Sequence, residues 1–480
     1  MKVLFIASEA SPFVKLGGLA DVMGTLPKAL IKRGVECALM LPMYSQIPEE
    51  YRNKAKEISR FTVKLNWRRQ DCVLRKLRHN GVDVYFLDSQ FYFFRPYVYG
   101  NAYEDAERFS FFCKAALDAL PHMGFVPDIL HCNDWHTGMI PMLLRIKYAG
   151  APEYDRLKTV FSIHNLRYQG VFDMDFVRDI FELDPKYLTY EGIEYYGGAS
   201  FMKAGIIYSD FVSTVSPTYA KEILYPEKGE GLDGLLQCRR NTLVGILNGI
   251  DRRDFNPSTD RALTANYDIR SRANKAVCKS ALRRELGLDD DTDAPLLGVV
   301  SRLAYQKGFS LLMQGTNQLL DTDFQLAVLG TGDSAIEDYF HRLSNEHPTR
   351  FAFLDKYSDP IARRIYAGAD FFLMPSESEP CGISQLIAMR YGTPPIVHET
   401  GGLYDSVAPY NKFTSEGTGF TFTNFTVSDL FGALERADEC YRDKKAYSKL
   451  VRRAMAEKFG WEASAQEYKK LYETLISLTV

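Results

Sequence analysis

The feature that most limits the fold of this chain is a sustained alternation of short apolar runs with helical patterns. Val3–Ala7, Ala38–Leu41, Ile129–Cys132, Val160–Ile163 and Phe211–Val215 read as strands in the first half. Leu296–Val300, Gln325–Leu329, Phe351–Leu354, Phe371–Met374 and Pro395–Val397 read as strands in the second. Helical spacing lies between most of them, as in Ala20–Lys32, Phe309–Leu320 and Asp429–Cys440. Unbroken apolar strands separated by helices predict parallel sheets covered on both faces. The series restarts near residue 295, after the polar stretch Asp251–Asp293. An α/β chain of two parallel-sheet domains with a boundary near 250 follows, and 480 residues are too many for one ordinary core. Residues 60–90 alternate more like a hairpin, which predicts an antiparallel addition to the first sheet.

Composition narrows the function. A net charge of −3 provides no basic field for nucleic acid, so any phosphate chemistry rests on a few placed cations and backbone amides. The opening MKVLFIASEASPF reads as a first strand rather than a leader, and no run approaches the roughly 20 apolar residues of a membrane span. The eight cysteines are scattered without a CxxC pair, which predicts reduced thiols in a cytosol and no structural zinc.

In open parallel sheets ligands bind beyond the carboxyl ends of the strands. Here those ends carry the unusual residues. Val3–Ala7 leads to Lys15, Gly17, Gly18 and Asp21; Ile129–Cys132 leads to Asn133-Asp134-Trp135-His136. Val160–Ile163 leads to His164-Asn165, and Val244–Leu247 to Asn248-Gly249. Leu296–Val300 leads to Arg302 and Lys307, Gln325–Leu329 to the GTGD run Gly330–Asp333. Phe371–Met374 leads to Pro375–Gly382, and Pro395–Val397 to His398–Gly402.

Each motif suits one task. Gly17-Gly18 opens a helix, where free amides and partial positive charge receive an anion. Arg302 as a planar fork and Lys307 as a point charge suit a diphosphate that leaves. Glu379-Pro380-Cys381-Gly382 sets a carboxylate before a helix expected to begin at Gly382, placed to accept sugar hydroxyls. Gly401-Gly402 repeats that geometry at a second helix start. Cys381 has no neighbouring base and reads as a packing residue. Asp134 and His136 are too few for a metal site, so Asp134 reads as an acceptor-side carboxylate. Asp291-Thr292-Asp293 has the form of a metal-binding DxD, but it precedes a strand and belongs at the opposite edge of the sheet. No metal is expected.

Together these motifs resemble the bacterial glycogen synthase and plant starch synthase family, of the GT-B fold. KLGGLADV (15–22), DWH (134–136), HNLRYQG (164–170), SFMKAGI (200–206), VSPTYAKEI (215–223), EGLDGLL (230–236), LNGID (247–251), SRLAYQKG (301–308), EPCG (379–382) and TGGLYDSV (400–407) fall in the family's order. FGWEASAQEY (459–468) resembles its closing helix. The resemblance implies two Rossmann-like domains facing a deep cleft: an acceptor-side domain over 1–250, a donor domain over 251–457, and a helix over 458–480 that crosses back to the first.

It also implies roles. Lys15, Gly17 and Gly18 meet the donor's phosphates or ribose, and Asp21 holds that loop or the acceptor side. Arg302 and Lys307 grip the diphosphate. Tyr357 stacks on adenine, and Glu379 binds glucose hydroxyls. Cys381, Gly382, Thr400, Gly401 and Gly402 surround sugar and phosphate. His164 stabilises the oxocarbenium-like state, Asn165 lies beside it, Asn248 holds the sugar, and Asp134 orients the acceptor. The implied reaction is retaining transfer of glucose from ADP-glucose to the non-reducing end of an α-1,4-glucan in the cytoplasm, with no cofactor, metal, nucleic acid or membrane. Same-face displacement fits, since no nucleophile and acid pair is visible. Domain closure would exclude water.

Ser378 and Glu377 stand where the family carries a bulky residue before the glutamate. Arg167 replaces a small residue, and Leu247 replaces an Asn. Rivals to this reading are a retaining GT-B transferase with a small-sugar acceptor, a GT-B sugar-nucleotide epimerase, and a glucan-binding protein.

Overall fold

The apolar run at the start of the chain forms β1 (Lys2–Ile6), the central strand of a nine-stranded sheet. It is followed by β2 (Glu36–Pro42), β3 (Lys56–Leu65), β4 (Arg68–His79), β5 (Val82–Asp88), β6 (Ile129–Asn133) and β7 (Lys158–Ile163). Next come β8 (Val171–Asp173), β9 (Glu194–Tyr195), β10 (Gly198–Ser200), β11 (Phe211–Thr214) and β12 (Leu243–Gly245). The sheet order is β12-β11-β7-β6-β1-β2-β5-β4-β3. From β12 to β5 every neighbour is parallel, and all of these strands except the edge strand β12 are buried on both faces over most of their length. β4 runs antiparallel to both β3 and β5, which is the hairpin addition expected over 60–90. The β4–β5 turn is Asn80-Gly81, with φ of +48° and +85°, the residue pair that the twist of a tight hairpin favours. β8, β10 and β9 form a separate small sheet that sequence reading missed, because strands of two or three residues carry no readable period.

The computed structural model describes residues 1–478 and divides the chain into two units, Met1–Asn248 with the segment from Trp461 onward, and Gly249–Gly460. In the first unit the helix Trp461–Ser477 is tied to the end of the helix Gly18–Ile31: Arg33 donates to the Gln466 side chain, and Lys469 donates to the Arg33 carbonyl. Tyr472 on that helix reaches the buried His131 ring of β6 at 2.7 Å.

The second unit holds β13 (Leu296–Val300), β14 (Gln325–Leu329), β15 (Phe351–Leu354), β16 (Phe371–Met374), β17 (Pro395–His398) and β18 (Phe420–Phe422). They pair in the order β15-β14-β13-β16-β17-β18, all parallel. Alternate side chains feed two cores, one on each face. Leu297, Val299, Leu326 and Val328 belong to one, while Leu296, Val300, Ala327 and Leu329 belong to the other. Each fully buried leucine there contributes about 2 kcal/mol.

Both sheets have a topological switch point. β1 has β2 on one side and β6 on the other, so successive crossovers leave it in opposite directions. β13 stands likewise between β14 and β16. A crevice opens at the carboxyl ends of such strand pairs, and it is where ligands bind in open α/β sheets.

Three expected elements differ. The helix expected over Phe309–Leu320 is two, Phe309–Gln314 and Thr316–Asp321, broken at Gly315 where a Cβ would lie 2.5 Å from the Phe431 ring. The strand expected over Val244–Leu247 is Leu243–Gly245, so it ends two residues early. The helix expected to begin at Gly382 begins at Ser384, because Gly382 has φ +70° and forms a left-handed turn.

Candidate active site

The loop after β1 is organised by a residue that sequence reading passed over. Glu9 is buried, and its carboxylate accepts the backbone N–H groups of Leu16 at 2.6 Å and Gly17 at 2.9 Å. Its other oxygen accepts the Tyr99 hydroxyl at 2.5 Å. This buried acceptor fixes the Gly-Gly turn, so the helix Gly18–Ile31 starts at a defined place with no side chain capping it. A carboxylate just beyond a strand end was the available signal. Lys15 and Asp21 form an ion pair at 2.7 Å across the start of this helix. A Cβ at Gly17 would meet no atom within 4 Å. The fold itself therefore gives no packing reason for glycine there.

β6 ends in Asn133 and Asp134. Asp134 has φ +57° and ψ 176°, a backbone conformation that non-glycine residues rarely adopt and that recurs at functional sites. Its Oδ1 accepts the backbone N–H of His164, at the end of β7, at 2.8 Å. Burial raises the Asp134 carboxyl to about 7, against the lowering effect of the His164 and Asn165 amides. The His164 ring Nε2 lies 2.9 Å from Asn133 Oδ1, and burial pushes that imidazole down to about 4. Asp134 and His164, separate in sequence, are thus one unit. Asn165 Oδ1 accepts the Arg167 amide at 3.1 Å and shapes its own turn. Buried Asn248 has an Oδ1 with no hydrogen-bond partner among the described residues. An orphaned buried acceptor of that kind calls for an explanation such as a ligand or a water.

In the second unit the β13 and β16 loops meet at their switch point. Lys307 Nζ lies 2.5 Å from Glu379 Oε2, and Ser376 Oγ lies 3.3 Å from the same oxygen. Gly308 makes this possible: it has φ +77°, and a Cβ would fall 1.9 Å from the Pro375 carbonyl. Arg302, exposed, lies on the loop that leads to Lys307.

The segment Thr400–Gly402 packs against the Glu379–Cys381 backbone. The Gly402 N–H donates to the Glu379 carbonyl at 3.1 Å, and Cβ atoms at Gly401 and Gly402 would each come within 2.1 Å of a carbonyl oxygen there. These glycines exist so that two loops can touch. Thr400 is buried and precedes this short helix. Cys381 is a buried free thiol beside the left-handed Gly382, as expected of a packing residue. Tyr357 follows β15 and is 56% exposed. The GTGD run supports the Arg302 loop, since Cβ atoms at Gly330 and Gly332 would strike the Ser301 and Leu303 carbonyls.

The acidic run before β13 lies at the other end of that strand, as expected. Asp290 there pairs with Arg283 and Arg284 at 4.0 and 3.7 Å. Among the described residues no group of three or more His, Cys, Asp or Glu stands close enough to hold a metal ion, and no helix is long and apolar enough to cross a membrane.

Residues 2–238 match the family described as starch synthase catalytic domain, and residues 282–455 match glycosyl transferases group 1. The chain is 48% identical over 476 residues to a glycogen synthase of Geobacillus thermodenitrificans, covering 99% of this chain and 98% of that one. It is 47% identical over 476 residues to a glycogen synthase of Bacillus cereus, covering 99% and 100%. Among solved structures it is similar to the catalytic domain of starch synthase IV from Arabidopsis thaliana bound to ADP and acarbose, with a TM-score of 0.91, 33% identity and 99% of both chains covered. A sucrose-phosphate synthase from Thermosynechococcus elongatus shares the fold, with a TM-score of 0.62, 18% identity and 99% of both chains covered.

Proposed function

The chain belongs to the glycogen synthase and starch synthase family, and on that premise we propose that it moves glucose from ADP-glucose to the non-reducing end of an α-1,4-glucan, with retention, releasing ADP. It is a glycosyltransferase of the GT-B fold, acting in glycogen synthesis on a nucleotide-sugar donor and a glucan acceptor. The observation that carries the proposal is the Lys307–Glu379 pair at the β13/β16 switch point, with Arg302 on the same loop. The choice of adenine nucleotide is supported by the ADP bound to the Arabidopsis relative.

In this reading the 1–250 segment serves the acceptor side, 251–457 the donor, and the closing helix Trp461–Ser477 completes the first. Arg302 and Lys307 neutralise charge as the diphosphate leaves, which is where preorganised cations lower a barrier most. Glu379 steers the Lys307 ammonium and accepts hydroxyls of the glucosyl ring. Tyr357 stacks on the base, and Cys381, Gly382, Thr400, Gly401 and Gly402 border sugar and phosphate. Lys15, Gly17 and Gly18 meet phosphates or ribose, with Asp21 holding Lys15 in place. His164 faces the sugar as positive charge builds, Asn165 shapes its turn, and Asn248 offers its unsatisfied oxygen to a sugar hydroxyl. Asp134 orients the acceptor and also holds the His164 backbone.

The acceptor O4 bonds to C1 on the face from which the phosphate departs. The C1–O electron pair goes to the diphosphate, and the O4 proton passes to a phosphate oxygen. No metal or cofactor takes part in this scheme. A cytoplasmic location completes it, supported by eight cysteines that are all free thiols.

Labelled ADP-glucose offered with glycogen, with a small sugar, or with no acceptor tests the proposal. Label entering glycogen supports it. Label entering only the small sugar, or isomerised donor without acceptor, rejects it.

A further inference from the structure

Asn133 is fully buried at the end of β6, and its side-chain amide is held in one orientation. Its Nδ2 lies 3.1 Å from the Ile6 carbonyl and 3.0 Å from the His131 carbonyl. Both amide hydrogens therefore have acceptors. Rotating the amide by half a turn would set Oδ1 against two carbonyl oxygens and lose both bonds, so the orientation is determined by its partners. Oδ1 then faces the His164 ring Nε2 at 2.9 Å. An amide oxygen only accepts, so the proton of that bond belongs to His164 Nε2.

We propose that Asn133 is a positioning residue: it holds His164 as the Nε2–H tautomer and leaves Nδ1 as a bare acceptor for a hydroxyl of the transferred sugar. The proposal rests on the placing of His164 at the sugar in the function proposed above. Three observations support it. Burial keeps the imidazole neutral at pH 7, so Nδ1 carries no proton. The His164 backbone is pinned from the same turn, through Asp134 Oδ1 at 2.8 Å, so ring and main chain are both fixed by adjacent residues of one loop. That loop carries the strained φ of Asp134, consistent with a geometry kept for a purpose beyond packing.

The orientation has a chemical consequence. The opposite tautomer would present an N–H at Nδ1, which cannot accept from a hydroxyl. Sugar hydroxyls can donate or accept, so a fixed acceptor also sets the direction of the hydroxyl's own proton. A preset tautomer removes one degree of freedom from the bound donor, and positioning of this kind is a recognised share of catalysis.

The test uses the full-length chain with its eight histidines labelled with 15N. Long-range 1H–15N correlation spectra distinguish the two neutral tautomers and the imidazolium. The His164 signals are those that vanish in His164→Gln. At pH 7.5 the unaltered protein is expected to show the Nε2–H pattern at His164; an Nδ1–H or imidazolium pattern overturns the proposal without any variant at Asn133. In Asn133→Leu and the smaller Asn133→Ser, the pattern should move toward Nδ1–H or an average of the two. With it, kcat should fall about 10- to 100-fold while KM for glycogen stays unchanged. A shifted tautomer with unchanged kcat overturns the positioning role, and so does an unshifted tautomer in a folded variant. If the unaltered protein transfers no glucose yet shows the Nε2–H pattern, the proposed function fails and the hold of Asn133 on His164 stands.

Discussion

Removing the Lys307 ammonium would strand a buried carboxylate. The Glu379 side chain is 8% exposed, the Lys307 side chain 19%, and they meet at 2.5 Å. Breaking one side of a buried ion pair costs about 3–5 kcal/mol, because the remaining charge loses its partner while staying out of water. The Ser376 hydroxyl at 3.3 Å stays as a donor to Glu379 and recovers about 1 kcal/mol. Lys307→Ala should therefore lower stability by about 3 kcal/mol. Glu379→Gln keeps an acceptor oxygen near the ammonium and should cost about 2 kcal/mol. The double variant leaves no unpaired charge, so its loss should fall short of the sum by about 2 kcal/mol or more. Turnover should behave differently. Each single variant removes a group that acts as the diphosphate leaves, so each should lose about 10²- to 10³-fold in kcat, and the double variant should regain none of it. The assay pairs calorimetric unfolding of the full-length chain with transfer of labelled glucose to glycogen. Additive stability losses would refute the buried-pair reasoning; turnover in the double variant near that of the unaltered chain would refute the catalytic one.

Three further outcomes are expected. Gly17→Ala meets no steric obstacle, so its melting temperature should not change, while KM for ADP-glucose should rise about tenfold because the new methyl occupies space meant for phosphate; an unaltered KM removes this loop from the donor site. Glu9→Gln loses the charge that holds the Leu16 and Gly17 amides and should cost about 1–3 kcal/mol of stability together with donor affinity; a change in neither would mean that the loop stands without it. Asp134 has its carboxyl raised to about 7 by burial, so between about pH 4 and pH 7 the folded chain keeps a proton that the unfolded chain has released. Its stabilising contribution is present in acid and lost as pH rises through 7. The melting temperature of Asp134→Asn relative to the unaltered chain should accordingly rise from pH 5 to pH 8, and a difference that does not vary with pH contradicts the shift.

The parallel sheets were legible because β1, β13 and β14 are continuous apolar runs, the signature of strands covered on both faces. Lys307 and Glu379 stood out for the same reason: each follows such a strand, and the topology makes those strand ends neighbours. What escaped were contacts decided by tertiary packing. Glu9 looks like any polar residue after a strand, and only the folded loop brings the Leu16 and Gly17 amides onto it. Asn133 reads as a turn residue until β1 supplies the Ile6 carbonyl and β7 supplies His164. The glycines at 330, 332, 401 and 402 stand in loops at strand ends, and their Cβ directions add a packing of backbone against backbone that no local pattern displays. Gly315 and Gly382 moved helix ends for equally non-local or conformational reasons, a Phe431 ring in one case and a left-handed turn in the other.

The most direct measurement is the fate of labelled glucose from ADP-glucose incubated with glycogen in the presence of a chelator, with UDP-glucose as competitor. The account predicts label in the polymer, released by an exo-acting α-1,4-glucan hydrolase as expected for non-reducing ends, at a rate indifferent to the chelator and little affected by UDP-glucose. Label that remains on the donor, or appears only in free glucose or a small sugar, contradicts it.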